Sequence, residues 1–82
     1  MVLMHLWVVN VMENNVEKYK ILANKEQLEE VGISYDITGY IGLLVHNYST
    51  GYYELEVVHM YNGMTFTNNF DIPRHLLEKI ES

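Results

Sequence analysis

Hydrophobic and polar residues alternate most regularly in the middle of the chain, between residues 37 and 72. In the run YELEV, large apolar side chains at Tyr53, Leu55 and Val57 alternate with glutamate. This period of two is typical of a β-strand with one buried face and one face in water. Similar runs lie on both sides, separated by the turn-forming segments NYSTG and NG, so we predict a meander of three antiparallel strands.

The pair Asn62-Gly63 marks the tighter of the two turns. Both residue types accept the positive φ of a type I′ turn, and this pair is a strong hairpin signal. A two-residue turn fixes which residues face each other. The predicted pairs are Tyr61 with Met64, His59 with Phe66, and Leu55 with Phe70. Three apolar residues then join the buried face, namely Met64, Phe66 and Phe70.

Asn68 is the residue that does not fit this pattern. The hairpin register turns it inward, opposite Val57, where a polar side chain needs an explanation. We predict a β-bulge near Asn68 and Asn69, or a position at the end of a barrel.

The segments flanking the meander predict short elements. VEKYKILA (residues 16–23) alternates as a strand, with Tyr19 and Ile21 inward. NKEQLEEVG (residues 24–32) follows with a capping asparagine and a terminal glycine, which indicates one or two helical turns. After the meander, Pro73 ends the strand, and we predict a 3₁₀ turn around residues 74–76 and a short last strand that closes the sheet.

The N-terminal run MVLMHLWVVNVM is apolar and carries no charge. It is shorter than a bilayer span and has neither the basic region nor the cleavage site of a signal peptide. We interpret it as a strand, with Met12 as an alternative natural start. An apolar edge strand favours self-association, so a homodimer through this segment stays open.

Length and charge limit the classes of protein. A chain of 82 residues without cysteine forms one domain without disulfides or thiolate metal sites. Its net charge of -6 makes nucleic acid an unfavourable partner and suits a protein with a basic face, although such a charge also serves plain solubility. We expect a cytoplasmic protein that does not associate with a membrane.

Several stretches of the chain carry a family resemblance when they are taken in order. KYKILA, an acidic loop, GYIGLLV, GYYELEV and FDIPRHLLEKI together resemble the SH3-like superfamily of small β-barrels, which includes SH3 and KOW domains. The last is the most specific, because it is similar to the Ile-Pro-x-x-Tyr-Val stretch of SH3 domains. TNNF (residues 67–70) is also similar to the last strands of a small SH3-like protein of photosystem I. The resemblance covers residues 16–80.

This resemblance implies an all-β fold. The expected architecture is a small, partly open SH3-like barrel of about five or six antiparallel strands. It has one short helical turn in the first long loop and a 3₁₀ turn before the last strand. The barrel domain would span residues 16–82, and residues 1–15 would be an N-terminal apolar strand or extension.

The resemblance also implies a ligand surface. SH3 domains bind proline-rich peptides on aromatic side chains, and the matching positions here are Tyr19, Tyr52, Pro73 and Leu76. Acidic residues that could meet a basic ligand residue are Glu26, Glu29, Glu30 and Asp36. Tyr52 stands where the family carries tryptophan and Leu76 where it carries tyrosine. The alternative is that these residues seal the barrel.

No residue pattern indicates catalysis or a cofactor. The four histidines, His5, His46, His59 and His75, lack the spacing of metal ligands. Glu54 and Glu56 share an exposed strand face, where nothing shields a carboxyl for acid–base work. No serine lies in a nucleophile motif. We predict a protein that is not an enzyme.

Seven tyrosines are the most distinctive feature of the composition. Exposed tyrosine is common in protein interfaces. We predict a protein-interaction module with an acidic, tyrosine-rich face formed by Tyr48, Tyr52, Glu54 and Glu56. Alternatives are an inhibitor, antitoxin-like or anti-defence protein from a mobile element that acts on a nucleic-acid-handling enzyme, and a KOW-like nucleic-acid-binding domain using Lys18, Lys20, Lys25 and Arg74.

Overall fold

The computed structural model describes residues 16–81. The elements in chain order are β1 (Lys18–Ile21), α1 (Lys25–Glu30), β2 (Ile41–Asn47), β3 (Tyr52–Tyr61), β4 (Met64–Pro73), a 3₁₀ turn (Arg74–Leu76) and β5 (Leu77–Ile80). The predicted N-terminal strand, the alternative start at Met12 and His5 lie outside the described residues. The all-β class, the short helix and the 3₁₀ turn before the last strand are confirmed.

All five described strands form one antiparallel sheet in the order β4-β3-β2-β1-β5. The short β5 pairs along its whole length with β1, from Leu77 opposite Ile21 to Ile80 opposite Lys18. No ladder joins β5 to β4 within residues 16–81. The prediction that the last strand closes the sheet is therefore wrong, because a strand of four residues on the β1 side does not reach β4 at the far edge.

The β3–β4 hairpin has the predicted turn and register. Asn62 and Gly63 adopt φ values of 52° and 76°, as a type I′ turn requires. The pairs Tyr61–Met64, His59–Phe66 and Leu55–Phe70 are all present. The register is unbroken to the end of β4, so the predicted bulge near Asn68 is wrong. The irregularity lies on β2 instead, between Leu44 and His46.

The inward face of β4 is buried only along part of its length. Phe70 is buried and Phe66 is partly buried, whereas Met64 is 62% exposed. The prediction that Met64 is buried is wrong for a simple reason. The turn end of the hairpin extends beyond the fully buried core, so Met64 is covered less than Phe66 and Phe70.

The core lies between the inner face of the sheet and the segment from α1 to β2. Its fully buried side chains include Ile21, Leu28, Ile37, Leu55 and Ile72. Helix α1 begins with a capping box, in which the Asn24 side chain accepts from the Gln27 backbone and the Gln27 side chain accepts from the Asn24 backbone. This box fixes a helix that is too short to be stable alone, and so holds Leu28 in the core.

The sheet is closely packed at Gly42 on β2. A Cβ atom at this position would lie 2.9 Å from Leu55 Cβ and 3.0 Å from Val57 Cγ2. Glycine at this position therefore leaves room for the buried side chains of Leu55 and Val57 to pack over β2. Within residues 16–81, no helix has both the length and the apolar character needed to cross a bilayer.

Candidate partner-binding site

The candidate site lies where the loop of residues 48–51 joins the start of β3 and the end of β4. The loop is held at both ends by backbone hydrogen bonds, from Tyr48 N to Tyr52 O at 2.9 Å and from Arg74 N to Gly51 O at 2.9 Å. Gly51 has a φ of 93°, which favours glycine at this position. The loop is therefore a fixed support for the two tyrosines that flank it.

A hydrogen-bonded chain orients Tyr48. Its hydroxyl donates to Glu54 Oε1 at 3.1 Å, and Asn69 Nδ2 donates to Glu54 Oε2 at 2.9 Å. The His46 imidazole packs edge-on against the Tyr48 ring, with centroids 4.4 Å apart. The hydrogen bond to Glu54 raises the pKa of the Tyr48 phenol, so the hydroxyl keeps the proton that it donates in this bond.

Beside these side chains lies an open cavity of about 440 Å³. It is lined by Val31, Tyr48, Thr50, Tyr52 and Asp71. Two phenol rings, the Thr50 hydroxyl and the Asp71 carboxylate thus face a common space. No lysine or arginine is among the lining residues. Tyr48 is 36% exposed and Tyr52 is 37% exposed, so both rings are accessible.

Charge around this cavity is negative. Asp71 on β4 lies directly opposite Glu54 on β3, and Asp71 also contributes to the raised pKa of Tyr48. Aromatic faces and carboxylates both attract cations, and an ammonium or guanidinium group over a tyrosine ring is bound partly by cation–π attraction. The cavity is therefore suited to a basic side chain. Among the described residues, no cluster of His, Cys, Asp and Glu could hold a metal ion.

The structure brings together only part of the predicted binding set. Tyr48 and Tyr52 line the cavity, and Glu54 lies next to it through its bond with Tyr48. Glu56 is exposed on the same face, where it pairs with Leu43 on β2 and Asn69 on β4, and it does not line the cavity.

Three further predicted residues take part in the core. Tyr19 is 7% exposed and packs edge-on against Tyr53 at a centroid distance of 5.1 Å. Its hydroxyl donates to Glu17 Oε1 at 2.5 Å. Pro73 is buried, and Leu76 is partly buried against the core. These positions agree with the alternative in which they seal the fold, and their role in binding stays a prediction.

Sequence reasoning does not identify Val31, Thr50 or Asp71 as site residues. Val31 belongs to the predicted helical turns, and Thr50 to the predicted loop. Asp71 has a usable signal, because a strand pairing of Glu54 with Asp71 follows from the predicted hairpin register. The acidic residues Glu26, Glu29, Glu30 and Asp36 are all exposed, and none of them lines this cavity.

Comparisons with protein-family models, with curated proteins and with solved structures give no match to this chain.

Proposed function

We propose that this protein is a non-catalytic interaction module whose cavity binds a basic side chain of a partner protein. The observation that carries the proposal is the convergence of Tyr48, Tyr52 and Asp71 on one accessible cavity that contains no cation of its own. Such a site offers two aromatic faces and a carboxylate in fixed positions, which is what a guanidinium or ammonium group requires.

Arginine is the better fit of the two basic side chains. Its planar guanidinium stacks on an aromatic ring and donates several hydrogen bonds in the same plane, whereas lysine presents a single strongly hydrated charge. Here Tyr48 and Tyr52 supply the rings, and Asp71 supplies the acceptor. The bond from Tyr48 to Glu54 holds one ring in place before the partner arrives, which reduces the entropy lost on binding.

The charge of the whole chain supports a partner with a basic face. A net charge of -6 speeds encounter with a positively charged surface and disfavours a phosphate backbone. Enzymes that handle nucleic acid carry basic surfaces, so an inhibitor or antitoxin-like protein is one form that this interaction could take. A KOW-like role is less well supported, because only Lys18 and Lys20 lie side by side on one strand face.

We also propose that the fold is of the SH3-like type. The open antiparallel sheet, the helix between β1 and β2 and the 3₁₀ turn before β5 support this assignment. Tyr52, which the resemblance places in a ligand groove, lines the cavity.

A paired-peptide titration tests the proposed function. A short peptide with one arginine is compared by calorimetry with the same peptide carrying citrulline, which keeps the shape and loses the charge. We expect binding of the arginine peptide alone. Tyr52→Ala and Asp71→Asn should each weaken it about five- to tenfold, while Glu78→Gln, which removes an exposed carboxylate on β5, should not.

Two outcomes would contradict the proposal. Equal binding of both peptides would show that charge is not recognised, and equal losses in Asp71→Asn and Glu78→Gln would show that only the total charge matters. A single-stranded oligonucleotide is tested in parallel. Binding that falls steeply with salt would favour the nucleic-acid alternative instead.

A further inference from the structure

The outer face of the sheet, away from the core, carries a continuous apolar patch. It consists of Ile41 and Leu43 on β2 with Val58 and Met60 on β3, and these side chains are between 37 and 60% exposed. Gly42 pairs with Val57, so Ile41 and Val58 are the next residues along the two strands and lie side by side. A sheet face in water normally carries polar residues, and a patch of this kind indicates an interaction surface.

Opposite charges flank this patch on its two sides. On β1, Lys18 pairs with Leu43 and Lys20 pairs with Ile41. On β3, Glu56 pairs with the same Leu43 from the other side. All three charged side chains are exposed, and the one salt bridge found among the described residues joins Lys79 to Glu17 instead. Leu43 on β2 therefore lies between Lys18 on one side and Glu56 on the other, while Lys20, beside Ile41, has Glu78 opposite it on β5.

From this arrangement we propose that the outer face binds the same face of a second copy of this chain. A two-fold axis parallel to the strands and centred on β2 would place Leu43 and Ile41 against their symmetry mates. The same axis lays β1 of each copy over β3 of the other, which brings Lys18 close to Glu56 of the second copy. Around Leu43 the face is thus self-complementary in both polarity and charge, as an isologous interface must be.

Two packed sheets lie about 10 Å apart with their strands nearly aligned. Both lysine–glutamate pairs then form at the rim of the apolar centre. Exposed ion pairs add little affinity, but two like-charge contacts at the same places oppose association. The charges therefore select the alignment of the two sheets, while the apolar patch supplies the affinity. This surface does not include the lining of the cavity beside Tyr48.

Charge reversal on the full chain tests the proposal. Sedimentation of the wild type should show a monomer–dimer equilibrium. Lys18→Glu places glutamate over Glu56 twice, and Glu56→Lys places lysine over Lys18 twice, so each variant alone should dimerise at least about tenfold more weakly. An equimolar mixture of the two variants has complementary charges at both contacts and should regain the wild-type dimer fraction.

The matched controls are Lys25→Glu and Glu30→Lys on α1, which change the same charges away from this face and should leave the dimer unchanged. If the mixture regains the dimer, misfolding of either variant cannot be the reason why each alone dimerises weakly. A wild type that stays monomeric at all concentrations, as when residues 1–15 cover the face themselves, would overturn the proposal. A dimer that persists in both variants, or a mixture that does not recover, would do so equally.

Discussion

The imidazole of His59 is almost completely buried, and its environment explains why Asn68 faces inward. His59 Nε2 lies 2.9 Å from Asn68 Oδ1, and the ring packs edge-on against Tyr35 at a centroid distance of 4.7 Å. A buried polar group without a partner is costly. Asn68 is therefore retained on the inner face as the partner of His59 and not as part of a bulge.

Replacing Asn68 by alanine tests this pairing. Asn68→Ala leaves a buried imidazole nitrogen without its partner and should lower the free energy of unfolding by about 1–3 kcal/mol. The matched control is Asn69→Ala on the exposed face, which removes the bond to Glu54 and should cost less than about 1 kcal/mol. Urea unfolding of both variants measures the difference. Equal losses would mean that His59 is satisfied in another way.

Tyr19 predicts how stability depends on alkaline pH. Burial and then the hydrogen bond to Glu17 raise the pKa of this phenol above its ordinary value of 10.0. The folded chain therefore holds the proton more tightly than the unfolded chain. The contribution of this phenol to the free energy of unfolding is fully present below pH 10.0 and is lost as the pH rises above 10.0.

Tyr19→Phe should remove this contribution, so the variant should lose less stability than the wild type between neutral pH and pH values above 10.0. Tyr52→Phe, which removes an exposed hydroxyl, serves as the control. Chemical unfolding at a series of pH values measures both. If the stability of Tyr19→Phe and of the wild type changed with pH in parallel, the raised pKa of the Tyr19 phenol would be contradicted.

Among the elements, the β3–β4 hairpin is the one that the sequence predicts most completely. The Asn62-Gly63 turn and the alternation of β3 are both local signals, and together they determine every pair from Tyr61–Met64 to Leu55–Phe70. The irregularity beside Val45 on β2 has no comparable local signal. It follows from the fit of β2 to both β1 and β3, which depends on contacts that are distant in the chain.

The turn residue Gly63 provides a direct test of this element. With φ at 76°, an alanine at this position adopts a left-handed conformation at a cost of about 1–2 kcal/mol. Gly63→Ala should therefore lower the free energy of unfolding by about that amount. Asn62→Gly keeps the turn permissive and should stay within about 0.5 kcal/mol of the wild type. A neutral Gly63→Ala would indicate that the turn does not fix the hairpin.

For the molecule as a whole, the sequence predicts which strand residues point inward. It does not predict how the elements are arranged in space. The inward positions Tyr19, Leu55 and Phe70 follow from alternation and are buried. The open edge of the sheet and the cavity do not follow, because each depends on how the elements meet in space. Val31 and Asp71 reach the same cavity from opposite parts of the chain, and no periodicity links them.

The two proposed surfaces use different parts of this fold. The cavity beside the 48–51 loop is acidic and aromatic, and the patch of Ile41, Leu43, Val58 and Met60 on the outer face is apolar. The outward side chains of β3 run from Tyr52 and Glu54 beside the cavity to Val58 and Met60 in the patch, so a dimer through the patch would lie next to both cavities.

The most direct test of the central claim is to map where a cation binds. Amide resonances of the full chain are followed by nuclear magnetic resonance during titration with the arginine peptide and with its citrulline counterpart. We predict that arginine alone shifts a compact set of amides around the cavity, at Val31, Thr50, Tyr52 and Asp71, in a saturable way. Shifts centred on the glutamates of α1, or the same shifts with citrulline, would contradict the account.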